Sequence, residues 1–238
     1  MKKIISTLIV FLFFQFSVVH AQILIGLIFG DKLNSDKMEF GLNVSANMTT
    51  MSHIDSDKFN RGLAIGLYID YKFADHFALA TSLLFSSPKG VRNFGTEEYF
   101  QPLPDSNWNV SKSIRGLSYM DLPLVVQYRP IPQIGIGLGI QTSLLLKAED
   151  SFSHSYDDWD IGSRIDITDN FNRLDFGLVA SLNFHFSGNP GVQIRLNYSH
   201  GLVNVYNSSA NRTAYNRTFQ LGAMIPIKTG VKKKDKVE

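Results

Sequence analysis

The chain has 238 residues, a length that suits a single β domain, and its charge is nearly balanced, with 23 Lys and Arg against 21 Asp and Glu. This balance gives no reason to expect a nucleic acid partner, and a hydrophobic content of 44% argues against extended disorder. The sequence has no cysteine, which excludes disulfides, thiolate metal sites, a cysteine nucleophile and the lipid anchor of bacterial lipoproteins.

The N-terminal segment has the features of a cleavable secretory signal peptide. Lys2-Lys3 forms a basic start, Ile4–Phe14 is an apolar run, and Val19-His20-Ala21 provides the short residues that precede a cleavage site. The alternative is an uncleaved membrane anchor, but polar residues interrupt the apolar run before it reaches the ~20 residues of a helical span. We predict that residues 1–21 are removed by cleavage before Gln22.

Residues 22–37 form a short N-terminal segment with a second apolar stretch. This stretch, Ile23–Phe29, ends at Gly30-Asp31-Lys32 and is too short to cross a bilayer as a helix. Its pattern fits a short helix as well as a strand. We predict a short helix that lies at the mouth of the β domain that follows, or is folded into it.

From residue 38 to residue 227 apolar and polar residues alternate with a period of two, as in strands that have one apolar face. In the first strand, for example, Phe40, Leu42 and Val44 alternate with Gly41 and Asn43. The eight predicted strands are Glu39–Met48, Leu63–Phe73, Phe77–Phe85, Met120–Tyr128, Ile134–Leu144, Phe176–Phe186, Val192–Tyr198 and Phe219–Ile227.

The connections between these strands are alternately short and long. The short ones are Ala74-Asp75, Pro130–Pro132 and Ser187–Pro190, and the long polar ones are Thr49–Arg61, Ser87–Ser118, Lys147–Asn172 and Val205–Arg217. Barrels of the bacterial outer membrane have short periplasmic turns and long external loops. The sequence therefore predicts an all-β fold, an eight-stranded antiparallel up-and-down transmembrane β-barrel over residues 38–227, followed by a basic tail over residues 228–238.

Aromatic residues cluster beside the short turns. They are Tyr71, Phe73, Phe77, Tyr128, Phe184 and Phe186. A ring of aromatics at one interface is typical of a lipid-embedded barrel, whereas the alternative is that they pack a soluble core. A soluble lipocalin-like carrier would have its apolar faces inside, and alternation alone does not separate the two. The loop asymmetry and the aromatic ring favour the membrane barrel.

The predicted polar faces carry the charged residues of the strands, and the apolar faces carry none. An eight-stranded barrel is only wide enough for side chains to fill, and an unpaired ion in a dry interior is costly. We therefore predict a charge network in the lumen that comprises Glu39, Asp70, Asp121, Arg129, Asp175 and Arg195. The network is either a structural plug or a path for protons or ions, and neither is a general diffusion pore.

Four segments resemble motifs of the PorT-like outer-membrane β-barrel family. They are Tyr119-Met120-Asp121-Leu122-Pro123, Leu174-Asp175-Phe176-Gly177, Tyr198-Ser199-His200-Gly201-Leu202 and the C-terminal stretch Gln220–Ile227. The resemblance covers about residues 38–227 and implies an outer-membrane barrel of the OmpA/OmpX type. Because some members assist protein secretion or gliding and most have no defined activity, the resemblance implies little about function.

Two sequence patterns suggest a functional site, the first a Ca²⁺ site and the second a catalytic pair. We expect neither site to be functional. The first is a cluster of possible Ca²⁺ ligands in one external loop: His154, Asp157, Asp158 and Asp160. Because the spacing and the turn glycine of a calcium loop are absent, we expect a solvated acidic loop instead.

The second pattern is Ser199 beside His200, which suggests a lipase-like pair. Adjacent residues of a strand point to opposite faces, so we do not expect them to form a catalytic dyad.

The two longest predicted loops are rich in aromatic residues. These are Trp108 and Trp159, with Phe94, Tyr99, Phe100, Phe152 and Tyr156. They either bind a partner, a glycan or lipopolysaccharide, or fold the loops over the mouth of the barrel. The lysines of the basic tail either contact anionic lipid headgroups or remain solvated.

These observations favour an outer-membrane protein with a structural or interaction role, which contacts partners or ligands through its external loops. The alternatives are a membrane-embedded lipid-modifying enzyme and an accessory component of a protein secretion system. We expect no enzymatic activity, no cofactor and no metal. The expected partners are outer-membrane lipids, the barrel assembly machinery during biogenesis, and an extracellular ligand or a secretion-system protein.

The first prediction concerns electrophoretic migration. A folded outer-membrane barrel that stays closed in detergent should migrate faster on a gel when the sample is not heated than when it is boiled, because the folded chain is more compact. Equal migration of the two samples would contradict the barrel.

Overall fold

The computed structural model describes residues 34–35, 37–100, 110–156, 159–186 and 191–227. The predicted signal peptide, almost all of the segment 22–37 with its predicted helix, and the basic tail lie outside these residues. The described residues form nine strands: β1 Met38–Met51, β2 Ser56–Ala74, β3 Phe77–Phe94, β4 Lys112–Ile131, β5 Ile134–Tyr156, β6 Trp159–Asp166, β7 Leu174–His185, β8 Gln193–Gly201 and β9 Asn216–Pro226. Three short 3₁₀-helices are also present, at Thr96–Glu98, Thr168–Asn170 and Ser208–Ala210. No helix in this part of the chain is long and apolar enough to cross a membrane.

Eight of these strands close into a ring. They pair antiparallel in chain order, with β5 next to β7, and β1 pairs with β9 to complete the circle. Among the described strands, β6 pairs with the outer part of β5 and extends the sheet beyond the ring, from Glu149 opposite Asp166 to Tyr156 opposite Trp159. The predicted eight-stranded antiparallel up-and-down barrel is confirmed.

The part of the ring near the short turns is apolar outside and polar inside. On β5, Leu138 and Ile140 are 73% and 54% exposed, whereas Asn43, Ser45 and Asn47 of β1 are buried in the interior. A soluble carrier of the lipocalin type has the opposite arrangement. A continuous outer band of exposed apolar side chains matches the hydrocarbon of a bilayer, so this part of the barrel spans the membrane.

Aromatic side chains surround the end of the barrel that carries the short turns. The six predicted members, Tyr71, Phe73, Phe77, Tyr128, Phe184 and Phe186, are all exposed on the outer surface. The ring of Phe77 has its centroid 6.2 Å from that of Phe73 and 5.3 Å from that of Tyr128. Such a girdle marks a membrane interface, here the periplasmic one.

Above the membrane, at the end with the longer connections, the inner face of the sheet becomes apolar and the outer face becomes polar. β-Bulges at Phe85-Ser86 in β3 and at Leu146-Lys147 in β5 each leave two successive residues outside. The inward positions that follow are therefore shifted by one residue. Beyond the bulges, apolar side chains such as Val91 and Phe152 point inward, while the outer surface becomes polar, as in a soluble β domain.

The prediction of a loop is wrong over much of the length of three segments: Thr49–Arg61, Ser87–Ser118 and Lys147–Asn172. The structure has strands through large parts of them, and the connection from β1 to β2 is only the four residues between Met51 and Ser56. The apolar alternation stops at the two bulges, but the hydrogen-bonded ladder continues past them because backbone pairing does not depend on which face is apolar. In the fourth predicted loop, Val205–Arg217, the residues before Asn216 lie outside the strands, and β9 begins at Asn216.

The inward apolar side chains fill the external end of the barrel, and we call this group the external core. Its buried members are Met51, Ile54, Val91, Phe94, Leu117, Tyr119, Leu145, Ala148, Phe152, Ile167, Phe171, Val205, Tyr206 and Ala214. They come from strands and from the connections after β1, β6 and β8, so the external core closes the mouth of the barrel and fixes those connections to it.

The outer apolar band generates a prediction for β5, whose exposed side chains run from Ile136 to Leu146. Ile140→Arg puts a guanidinium near the middle of this band, and we expect it to lower the free energy of unfolding by about 2–4 kcal/mol in lipid vesicles. Leu146→Arg, at the external edge of the band, is the matched control and should cost at most about 1 kcal/mol. Urea titration of vesicle-embedded protein measures both values, and equal costs would contradict the placement of the band.

Candidate functional site

The polar interior of the membrane-spanning part contains an ion cluster near the periplasmic end. Asp70 accepts hydrogen bonds from Arg195 Nη2 at 2.8 and 2.9 Å and from Arg129 Nη2 at 3.2 Å. Glu39 accepts a hydrogen bond of 2.6 Å from the hydroxyl of Tyr68. We call these five residues the periplasmic cluster. One buried carboxylate thus holds two guanidinium groups from opposite walls of the barrel, β4 and β8.

A second cluster lies nearer the external core and is centred on Lys89, which is almost fully buried. Its Nζ is 3.1 Å from Asp121 Oδ1 and 4.5 Å from the centre of the Tyr119 ring. Asp175 accepts a hydrogen bond of 2.8 Å from Asn216 Nδ2, and its charge interacts with that of Lys89. We call this group the Lys89 cluster.

The six lumen residues predicted from the sequence all face the interior, but they divide between these clusters. Glu39, Asp70, Arg129 and Arg195 belong to the periplasmic cluster, whereas Asp121 and Asp175 accompany Lys89. Buried Ala80, Val125 and Val179 pack together between the two clusters on one side of the lumen.

Sequence reasoning missed Lys89 because it falls in a predicted loop. A signal for it was available, since the six predicted residues comprise four carboxylates and only two guanidinium groups. A buried set with that excess of negative charge requires another cation. The structure supplies it from the part of β3 that follows the bulge.

The external core encloses Arg115, which has no solvent exposure. Its Nε and Nη2 donate to the two carboxylate oxygens of Asp150 at 2.8 and 2.6 Å, a bidentate pair. The guanidinium also lies 4.6 Å from the ring centre of Phe94 and 4.7 Å from that of Phe100. An ion pair sandwiched by aromatic rings in this way is well compensated for the loss of water.

Two of the external connections meet at the backbone of Glu98. Its carbonyl oxygen accepts hydrogen bonds from Arg115 Nη2 at 2.7 Å and from Arg212 Nη1 at 2.5 Å. The guanidinium of Arg212 also lies 4.7 Å from the ring centre of Phe100. The connection between β3 and β4 is thereby attached to the connection between β8 and β9 above the closed mouth.

Tyr206 completes the coordination of Arg115. Its hydroxyl accepts a hydrogen bond of 2.7 Å from Arg115 Nη1. Burial raises the pKa of this phenol, and the nearby positive charge of Arg115 opposes the shift only in part. The phenol therefore stays neutral at physiological pH, and Asp150 is the carboxylate that balances Arg115 directly.

The structure puts four of the aromatics of the predicted loops inside the external end of the barrel. Phe94 and Phe152 are buried in the external core, and Tyr99 and Phe100 pack against it. The ring centroids of Tyr99 and Phe152 are 4.5 Å apart. Trp108 and the side chain of Trp159 lie outside the part of the chain that is described.

The two candidate sites suggested by the sequence are the Ser199–His200 pair and the possible Ca²⁺ ligands. His200 lies on the outer face of β8, where its Nδ1 is 3.3 Å from the Tyr198 hydroxyl, and Ser199 belongs to the alternate, inward positions of the strand. Ser199 and His200 therefore form no dyad. The possible Ca²⁺ ligands are His154 on β5, Asp160 on β6, and Asp157 and Asp158 between them in the sequence. Their side chains fall outside the described residues.

The buried pair in the external core generates a stability prediction. Arg115→Met leaves Asp150 without its counterion, and we expect it to lower the free energy of unfolding by about 3–5 kcal/mol. The double variant Arg115→Met/Asp150→Leu removes both charges and should recover most of that loss. Urea unfolding of vesicle-embedded protein, followed by tryptophan fluorescence, gives both values. A double variant as unstable as the single one would show that the charge balance is not what matters.

Several solved structures and one protein family are similar to this chain. The chain is similar to the solved structures of Ail from Yersinia pestis (13% identity, 80% of this chain and 98% of that one, TM-score 0.40) and OprG from Pseudomonas aeruginosa (13%, 81% and 95%, TM-score 0.41). It is also similar to Neisserial surface protein A (10%, 78% and 96%, TM-score 0.41). No curated protein sequence matches it. Residues 33–231 match the family described as outer membrane protein beta-barrel domain. The chain therefore belongs to this family and is a protein of the outer membrane.

Proposed function

We propose that the protein is a structural and interaction barrel, which is anchored by its membrane-spanning part and binds a partner outside the cell. The observation that carries the proposal is the external extension of the sheet. Strands β3, β4 and β5 have 18, 20 and 23 residues, whereas about 9–11 suffice to cross a bilayer. The surplus length continues the sheet above the membrane, and β6 widens it.

The rigidity of this extension supports a binding role. The ion pair between Arg115 and Asp150 joins β4 to β5 inside the external core, and Arg212 ties a further connection to Glu98. A surface that is already ordered loses little conformational entropy when it binds. The same packing fills the mouth of the barrel, which argues against a channel for solutes.

A free sheet edge gives the extension a surface for contact. Within the described part of the chain, β6 pairs with β5 and has no strand on its other side. Edge strands carry unpaired backbone donors and acceptors and can receive an extended segment of another protein. A catalytic role has less support, because Ser199 and His200 lie on opposite faces of β8.

We also propose that the protein is a PorT-like member of its family. The support comes from two acidic residues in the motifs that resemble that family, Asp121 and Asp175. Both interact with Lys89, although they come from β4 and β7 and are far apart in the sequence. A shared buried cation gives these two motif positions a common structural purpose.

An in-cell cross-linking experiment tests the interaction role. A photoreactive residue in place of exposed Lys112, at the external start of β4, should give a discrete cross-linked product in living cells. The same residue in place of Asp75, in the periplasmic turn after β2, is the matched control and should not give that product.

A shortened hairpin sharpens this test. Replacement of residues 154–161 by Asn-Gly closes the hairpin on the paired residues Ser153 and Gly162 and leaves Phe152 in the external core. We expect this variant to keep the heat-dependent gel shift and to lose the product formed from position 112. The proposal fails if position 112 gives no product, if position 75 gives the same one, or if the shortened hairpin retains it.

A further inference from the structure

Three basic side chains lie on one side of the outer surface, near the external edge of the apolar band, two on adjacent strands and one across β1 from them. His200 on β8 and Arg217 on β9 are cross-strand partners, and both occupy outward positions. Arg61 on β2 is exposed and lies opposite Met48 of β1, the strand between β9 and β2. We call these three residues the basic patch.

No carboxylate lies among the outward positions of β7, β8, β9 and β1, the strands that carry or flank His200 and Arg217. Strands β7, β8, β9 and β1 are described over their full length, and their outward residues are apolar, small or basic. The only acidic members of these strands are Asp175 and Glu39, which take part in the interior clusters. The positive charge of Arg217 is therefore not neutralised by a carboxylate on these four strands.

Strand β5, which is separated from β8 by β7, differs in this respect. Lys147 follows Leu146, the last apolar position of the band on this strand, and its Nζ is 2.7 Å from Glu149 Oε1. This exposed cation has a partner within its own strand. Lys147 is therefore a suitable control for any effect that depends only on positive charge near the membrane.

An apolar groove lies on the membrane-facing surface directly beside His200. It has a volume of about 240 Å³ and is lined by Leu138, Leu178, Ala180, Tyr198 and His200. Its cause is the small side chain of Ala180, which stands between Leu138 on β5 and Tyr198 on β8 in one row across the sheet. A groove in the hydrocarbon region of a membrane protein is filled by an acyl chain, because neither water nor a polar group is stable there.

Tyr198 links the groove to the basic patch. Its ring packs on Phe219 with 4.7 Å between centroids, and its hydroxyl is 3.3 Å from His200 Nδ1. Tyrosine favours the membrane interface, where its ring is in hydrocarbon and its hydroxyl meets polar groups. His200 is thereby fixed at the level of lipid headgroups, and its Nε2 is the ring nitrogen that remains for a ligand.

We propose that this surface binds a phosphorylated glycolipid of the external leaflet. A phosphate group is held by Arg217 and His200, with Arg61 beside them, and one acyl chain lies in the groove at Ala180. Arginine forms strong paired hydrogen bonds with phosphate, and basic pockets next to an apolar membrane surface select anionic headgroups. This inference is separate from the proposed external partner, because it concerns the strands that face the lipid.

The test uses full-length protein, purified in a neutral detergent and mixed with diphosphoryl lipid A. Native mass spectrometry measures the fraction of protein that retains one lipid. We expect Arg217→Gln to weaken retention by about tenfold or more, as expected for the loss of a charged hydrogen bond. Ala180→Phe should weaken it as well by filling the groove, whereas Lys147→Gln should leave it unchanged. The heat-dependent gel shift shows whether each variant has folded.

A second measurement needs no variant. Phosphatidylglycerol is compared with diphosphoryl lipid A on the wild-type protein and should bind more weakly. The proposal is overturned if phosphatidylglycerol binds equally well, since the surface then prefers any anionic lipid. It is also overturned if Arg217→Gln and Ala180→Phe have no effect, or if Lys147→Gln weakens retention to the same extent.

Discussion

The narrow interior of an eight-stranded ring is the constraint on which the rest of this structure depends. Such a ring leaves room for side chains but not for a column of water, so each inward polar group needs a partner from another strand. Asp70 meets this demand with two arginines, and Lys89 meets it with Asp121. Closure of the ring and pairing of the buried charges are therefore mutually dependent.

The barrel meets two solvents along its length, and the bulges at Phe85-Ser86 and Leu146-Lys147 mark the change. Below them, the outer side chains are apolar and the interior is polar, as a bilayer requires. Above them, the outer surface is polar and the external core is apolar, as water requires. Within that core, Arg115 and Asp150 show that a fully buried charge is tolerated where a bidentate partner and aromatic rings enclose it.

The sequence was sufficient to predict the membrane-spanning half of the fold, because the bilayer enforces an uninterrupted alternation such as that of β7. It was not sufficient beyond the bulges. In Leu144-Leu145-Leu146 the alternation is lost, although only Leu145 points inward. The partners of Lys89 and Arg115 depended on the register of strands that were predicted to be loops. Pairing across a barrel is set by that register, which local patterns do not contain.

The reversal at the two bulges also divides the sources of stability. In the external half, apolar groups leave water when the chain folds, so this half gains from the hydrophobic effect in the usual way. In the membrane half the apolar groups stay in contact with hydrocarbon, and backbone pairing and the interior ion clusters provide the cohesion. A change in bilayer thickness acts on the membrane half, whereas a denaturant dissolved in water reaches the external core first. The two ends of one continuous sheet thus respond to different properties of their surroundings.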